Sequence, residues 1–232
     1  MRSFFAGAML LATVASTATA QPVVSATNGP GTDPSLNSQA MVLNFTDCGA
    51  APAGVTITGG ACKASSSSGE WAQPWESYSG GGFYTTVAPY SPTSVVTIDF
   101  TGWLANQSFS SVQSLSLYWG SMDSYQWLEV LDRDGGVLGT IMGSDVASPT
   151  ANGDQGAAGT NRIVNLAFNG ADGAAFAGLR FNSTQAAFEF DDIAIQGISR
   201  ANTTVPEPST YALMAAGLAG LFGVARRRKQ NG

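Results

Sequence analysis

The sequence predicts an all-β fold: an antiparallel two-sheet sandwich, jelly-roll-like, framed by a leader at one end and a short apolar helix at the other. Three observations carry this. Apolar and polar residues alternate in many short runs, as in strands buried on one face. Gly, Ser, Asn and Pro separate the runs, as at 65–69, 79–82 and 144–160. Between the two ends no stretch sustains the 3.6-residue period of an amphipathic helix. Short strands at this spacing favour a sandwich, and the fixed-length repeat that a β-helix needs is missing.

The first twenty residues read as a secretory signal peptide. Met1-Arg2 is its positive end, Phe4 to Val14 its apolar run, and Ala18-Thr19-Ala20 an A-x-A cleavage site before Gln21. Residues 21–200 are then the ectodomain, one domain by length, and 201–205 a linker. The tail, 206–229, has three parts: a Pro-Glu-Pro segment at 206–208, an apolar helix at 211–225 and a basic stop at 226–229.

Charge limits what the exported part can bind. Between Gln21 and Val205 there are five Lys and Arg against fifteen Asp and Glu, a net charge near −10, whereas the whole chain is at −6. Such a surface repels nucleic acid and anionic lipid. The chain has no histidine. That removes the commonest general base and metal ligand, and with it Ser-His-Asp and Cys-His catalysis.

Taken in order, the first local feature is the cysteine pair. Cys48 and Cys62, the only two, lie fourteen positions apart in an exported chain and are expected to form a disulfide. The loop between them holds a strand-like Val55-Thr56-Ile57. Next, Val96, Ile98 and Phe100 share one face of a strand, and Leu115, Leu117 and Trp119 share one face of another. Trp127 to Leu131 and Val137 to Ile141 flank Asp132-Arg133-Asp134-Gly135-Gly136 as a hairpin with glycine-rich turn chemistry. Val164, Leu166 and Phe168, then Leu179 and Phe181, form further faces. Phe188-Glu189-Phe190 alternates up to Asp191-Asp192, after which Ile193 and Ile195 fall in the opposite phase. A slip of one residue predicts a β-bulge near Asp191.

Two residue classes are candidates for chemistry. Tyr118, Tyr125 and Trp127 are candidate rings for stacking on a glycan, with Trp71, Trp75 and Tyr78 upstream; the competing reading makes Trp119 and some of these companions core. Asp132, Asp134, Asp191 and Asp192 offer the hard oxygens that calcium takes. Asp132 begins like a twelve-residue calcium loop, but the twelfth position is Gly143 where a glutamate is needed, so an Asp-Gly turn is the better reading there. Asp191 and Asp192, at the bulge, are the candidate pair for a structural calcium ion; no other cofactor is expected. The same four acids could in principle form a glycosidase pair.

The tail is physically distinctive. Tyr211 to Ala225 is apolar throughout, and its fifteen residues rise about 22 Å as a helix, short of a hydrocarbon core of about 30 Å. Arg226, Arg227, Arg228 and Lys229 hold that end in the cytoplasm. Pro206 and Pro208 lack amide N–H groups and keep the preceding segment extended around Glu207. This order of rigid segment, short span and basic stop resembles the PEP-CTERM sorting tail of exosortase-sorted bacterial surface proteins. The block Leu115 to Ser121 is also similar to proteins of that kind.

The resemblance implies signal peptidase and exosortase as processing partners, with passage through the inner membrane as an anchored precursor. Recognition would fall on Pro206, Glu207 and Pro208, and release to the cell surface or extracellular matrix of a Gram-negative-type bacterium would follow. The expected function is a non-enzymatic structural or adhesive sandwich in an exopolysaccharide-rich biofilm matrix. A carbohydrate-binding module for exopolysaccharide is the alternative, and a carboxylate-type glycoside hydrolase the third reading. No nucleic-acid partner is expected.

Overall fold

Alternation in the sequence becomes two facing sheets. A computed structural model of the chain describes residues 21–28, 40–75, 81–86, 94–185 and 187–199, and in the tail 213–214, 216–218 and 226. Its contacts divide the chain into two units, Met1–Ser199 and Arg200–Gly232. The first unit holds the sandwich.

One sheet contains β1 (Val23–Asn28), β2 (Ala40–Leu43), β4 (Ala61–Lys63), β5 (Phe83–Thr85), β7 (Phe109–Gly120), β10 (Arg162–Ala167) and β12 (Glu189–Ser199). Its order is β1-β10-β7-β12-β5-β4, with β2 also paired to β12. The other contains β3 (Thr56–Thr58), β6 (Ser94–Asp99), β8 (Gln126–Asp132), β9 (Val137–Met142) and β11 (Phe176–Ser183), in the order β3-β6-β11-β8-β9. Every pairing is antiparallel. From β5 onward the chain changes sheet at almost every connection, β8 to β9 being the one hairpin within a sheet. Among the described residues of this unit three short helices, α1 (Thr101–Ala105), α2 (Gly143–Val146) and α3 (Gly170–Ala175), occupy connections.

The predicted faces meet in the core. Val96, Ile98 and Phe100, then Leu115, Leu117 and Trp119, are all completely buried, as are Val164, Leu166, Leu179 and Phe181. Phe181 on β11 stacks on Phe190 on β12, with ring centroids 3.7 Å apart and planes 7° from parallel. Trp119 stacks on Phe188 at 4.2 Å, and its Nε1 donates to Gln126 Oε1 at 2.9 Å. Trp119 is therefore core. Phe168 lies just past the end of β10 and packs on Phe176 at 5.3 Å.

The phase slip in β12 is a bulge. Asp191 pairs with Tyr118 and Ala194 with Ser116, so three steps along β12 match two along β7. Asp192 takes the left-handed backbone this requires, φ 49°, a region in which aspartate is several-fold enriched among non-glycine residues. The bulge lets Phe190, Ile193 and Ile195 all face the core.

The cysteines are bridged, with Cα atoms 5.4 Å apart. The bridge ties the segment after β2 to β4 and passes so close to Gly82 that a Cβ there would meet Phe45 O at 2.3 Å and Cys48 Sγ at 2.9 Å. Phe45, three residues before Cys48, packs on Tyr84 and Phe190 at 5.0 and 5.7 Å. The double variant Cys48→Ser/Cys62→Ser is expected to lose about 3 kcal/mol of stability through loop entropy. Urea unfolding checks this; an unchanged midpoint would show that packing around Phe45 alone holds the loop.

Candidate functional site

A polar cleft lies where the connections leave one end of the sandwich. Its volume is about 170 Å³. Three stretches wall it: Glu70 and Trp71 from the segment before β5, Ser121 to Gln126 between β7 and β8, and Glu189 at the start of β12. Gly153 and Gln155 close a fourth side.

Two buried amides fix the middle wall. Gln126 accepts from Trp119 Nε1 at 2.9 Å and from the Asp123 amide at 3.0 Å, and donates to Ala187 O at 2.7 Å. Asn161 Oδ1 accepts from the Trp75 amide at 3.1 Å and the Ser121 amide at 3.0 Å. Ser121, at φ 39°, turns the chain out of β7. The bonds of Gln126 to Ala187 and of Asn161 to Trp75 and Ser121 join segments 40 to 86 positions apart and set the cleft on rigid supports.

Glu189 is the pivotal carboxyl. It is 3% exposed. Its Oε1 accepts from the Ala72 amide at 2.9 Å and its Oε2 from Ser121 Oγ at 2.7 Å. Burial pushes its pKa up to about 8, against the pull of those two hydrogen bonds. Asp123 is also raised by burial, offset in part by a hydrogen bond from Tyr125. Burial and that same bond raise the Tyr125 phenol, keeping it a neutral donor. Trp71 donates from Nε1 to Ser65 O at 3.1 Å, and Lys63 Nζ sits 3.8 Å over its ring.

The candidate residues from sequence are dispersed. Tyr125 lines the cleft. Tyr118 is corrected: it is 3% exposed, with its hydroxyl donating to Trp75 O, so it has no face to offer a sugar. The segment carrying Trp75 covers that part of β7, which alternation along β7 alone could not show. Trp127 is half-buried on β8 and donates to Glu129 Oε1 at 3.2 Å, away from the cleft. Glu129 in turn pairs with Arg180 at 2.8 Å.

The four acids do not gather either. Asp132 Oδ1 accepts from the amides of Asp134 and Gly136 at 2.9 and 2.7 Å, closing the β8–β9 turn with Gly135 at φ 80°. This is the Asp-Gly turn. Asp191 and Asp192 lie buried within β12. The carboxyls that do share a cleft, Glu70, Asp123 and Glu189, are not among the residues the sequence singles out. The alternation placing Glu189 opposite Phe188 and Phe190 was the available signal.

Glu189 has a consequence for pH. Unfolded, it loses its proton near its ordinary value of 4.5; folded, it holds the proton up to about 8. Its contribution to stability is therefore full below about pH 4.5 and is lost as pH rises through about 8. Glu189→Gln should gain stability relative to the parent as pH rises across that window. Urea midpoints at several pH values check this, and parallel profiles would rule out a protonated Glu189.

The sorting residues Pro206, Glu207, Pro208, Arg227, Arg228 and Lys229 lie outside the described residues, as does most of the apolar run and the leader. Leu213, Met214, residues 216–218 and Arg226 are helical and exposed. Among the described residues no helix is long and apolar enough to cross a membrane. No curated protein and no solved structure matches the chain. The family model of the PEP-CTERM protein-sorting motif matches residues 204–229. The chain carries that motif, the signal of an exosortase-sorted surface protein.

Proposed function

We propose that this is a non-enzymatic, adhesive component of the cell surface or its matrix, holding a neutral extracellular polysaccharide in the cleft of its sandwich. One observation carries the reading: a rigid polar cleft set between two aromatic side chains, Tyr125 and Trp71, with Asp123, Gln126 and Glu189 around them. Sugars pair an apolar ring face with a rim of hydroxyls, and this lining offers a counterpart to each. Both oxygens of Glu189 already accept hydrogen bonds from the protein. That favours a bracing role over that of a free acid in glycoside cleavage.

Export by the leader, transient anchoring by residues 211–225 and recognition of Pro206-Glu207-Pro208 complete the proposal. Intact mass of the protein from its native surface tests this part. A chain from Gln21 to between Pro206 and Ser209, with or without an added group, is expected; a chain reaching Gly232 would overturn it.

A glycan array tests the cleft. Binding to a neutral polysaccharide should fall at least about tenfold, about 1.4 kcal/mol, in Tyr125→Ala and in Trp71→Ala. Trp127→Ala, outside the cleft, should bind as the parent does. A blank array for the folded parent, or equal loss in Trp127→Ala, would remove the proposal.

A further inference from the structure

Asp192 is anomalous in the described structure. It is 1% exposed, and neither of its carboxylate oxygens has a hydrogen-bond partner. Buried polar groups are almost always paired, and a buried unpaired carboxylate is among the costliest exceptions. The position is no frayed end. β12 is bordered by β7 on one side and by β2 and β5 on the other, and Asp192 is the extra residue of its bulge.

The residue beside it is a second buried carboxylate. Asp191 is fully buried, and its Oδ1 accepts from the amides of Asp192 at 2.9 Å and Phe45 at 3.3 Å. Those bonds fix the orientation of Asp191. In a regular strand, neighbouring side chains point to opposite faces. The left-handed backbone at Asp192 breaks that alternation, and the two charges lie close enough that Asp191 adds to the penalty on Asp192.

We infer that Asp191 and Asp192 hold a hard divalent cation of the calcium class in the bulge of β12. Calcium takes six to eight oxygens, carboxylate, carbonyl and water alike. Among the described residues no group of three or more His, Cys, Asp or Glu is placed to bind a metal. The remaining positions therefore fall to neutral oxygens, which suits calcium at extracellular affinity and disfavours zinc. The ion stabilises the strand that carries both Glu189 and the core phenylalanines, and it is independent of any glycan in the cleft.

The test uses the full chain in detergent, with calcium alone as the probe. About 10 mM calcium should raise the melting temperature by about 4–8 °C over EGTA, if affinity lies in the range of extracellular sites. Terbium should bind in the same place, with luminescence sensitised by Tyr118, the cross-strand neighbour of Asp191, and calcium should quench it by competition. Asp192→Asn keeps a side chain tolerant of the left-handed backbone. It should lose both responses while melting at or above the parent in EGTA. A parent indifferent to calcium and dark with terbium would overturn the inference, as would an Asp192→Asn variant that keeps the calcium shift. Should that variant fail to fold, bound calcium per parent chain after dialysis decides: one ion supports the site and none removes it.

Discussion

The ring of Phe190 lies flat on that of Phe181, 3.7 Å away, and through this contact the two sheets are registered on each other. Both strands are internal to their sheets, so the stack is sealed on all sides. Phe188 extends it, edge-on to Phe181 at 5.1 Å and stacked on Trp119 at 4.2 Å. Aromatic pairs of this kind contribute about 0.5–1.5 kcal/mol each beyond the area they bury. Their larger effect is positional. With Phe188 and Phe190 committed to the core, Glu189 between them has to face the other way, into the cleft.

The bulge follows from the same commitment. A strand in strict alternation with Phe190 inward would send Ile193 and Ile195 outward, since a slip of one residue reverses every side chain. One added residue restores both isoleucines to the core. That residue is Asp192, and its place in the strand is why a carboxylate comes to be buried there. β12 thus accommodates a polar anomaly at its middle in exchange for two apolar contacts further on. Neighbouring β2 feels the same shift, its register with β12 changing between Ile193 and Ala194.

What the sequence discloses is what depends on near neighbours. The β8–β9 hairpin, the Cys48–Cys62 bridge and the bulge each arise within a few to about fifteen residues, where periodicity, turn chemistry and loop length act. Strands β1 and β2 are less legible because β1 lies at a sheet edge, with its residues alternately exposed and half-buried. The cleft is illegible for a different reason. Ala72 and Glu189, which meet across it, are 117 positions apart, and no local pattern announces a contact of that range. Tyr118 was misplaced for the same reason, since its cover comes from Trp75, 43 positions away.

The electrostatics of the exported part bear on which polymer such a cleft could accept. Five cations against fifteen acids give a field that opposes anionic polysaccharides before contact. Inside the cleft the balance differs. Glu189 holds its proton at neutral pH, and the Tyr125 phenol stays neutral well above it. Asp123 is the carboxylate there that Tyr125 steadies by a hydrogen bond. Beside Asp123 and Glu70 the lining is neutral donors and acceptors within an acidic surface; no Lys or Arg is among the described residues that line it, and Lys63 is seated over Trp71. An anionic sugar would meet repulsion outside and no cation to pair with inside. A neutral, hydroxyl-rich chain meets neither obstacle, and this asymmetry, more than the shape of the cleft, is why the ligand class proposed for it is a neutral glycan.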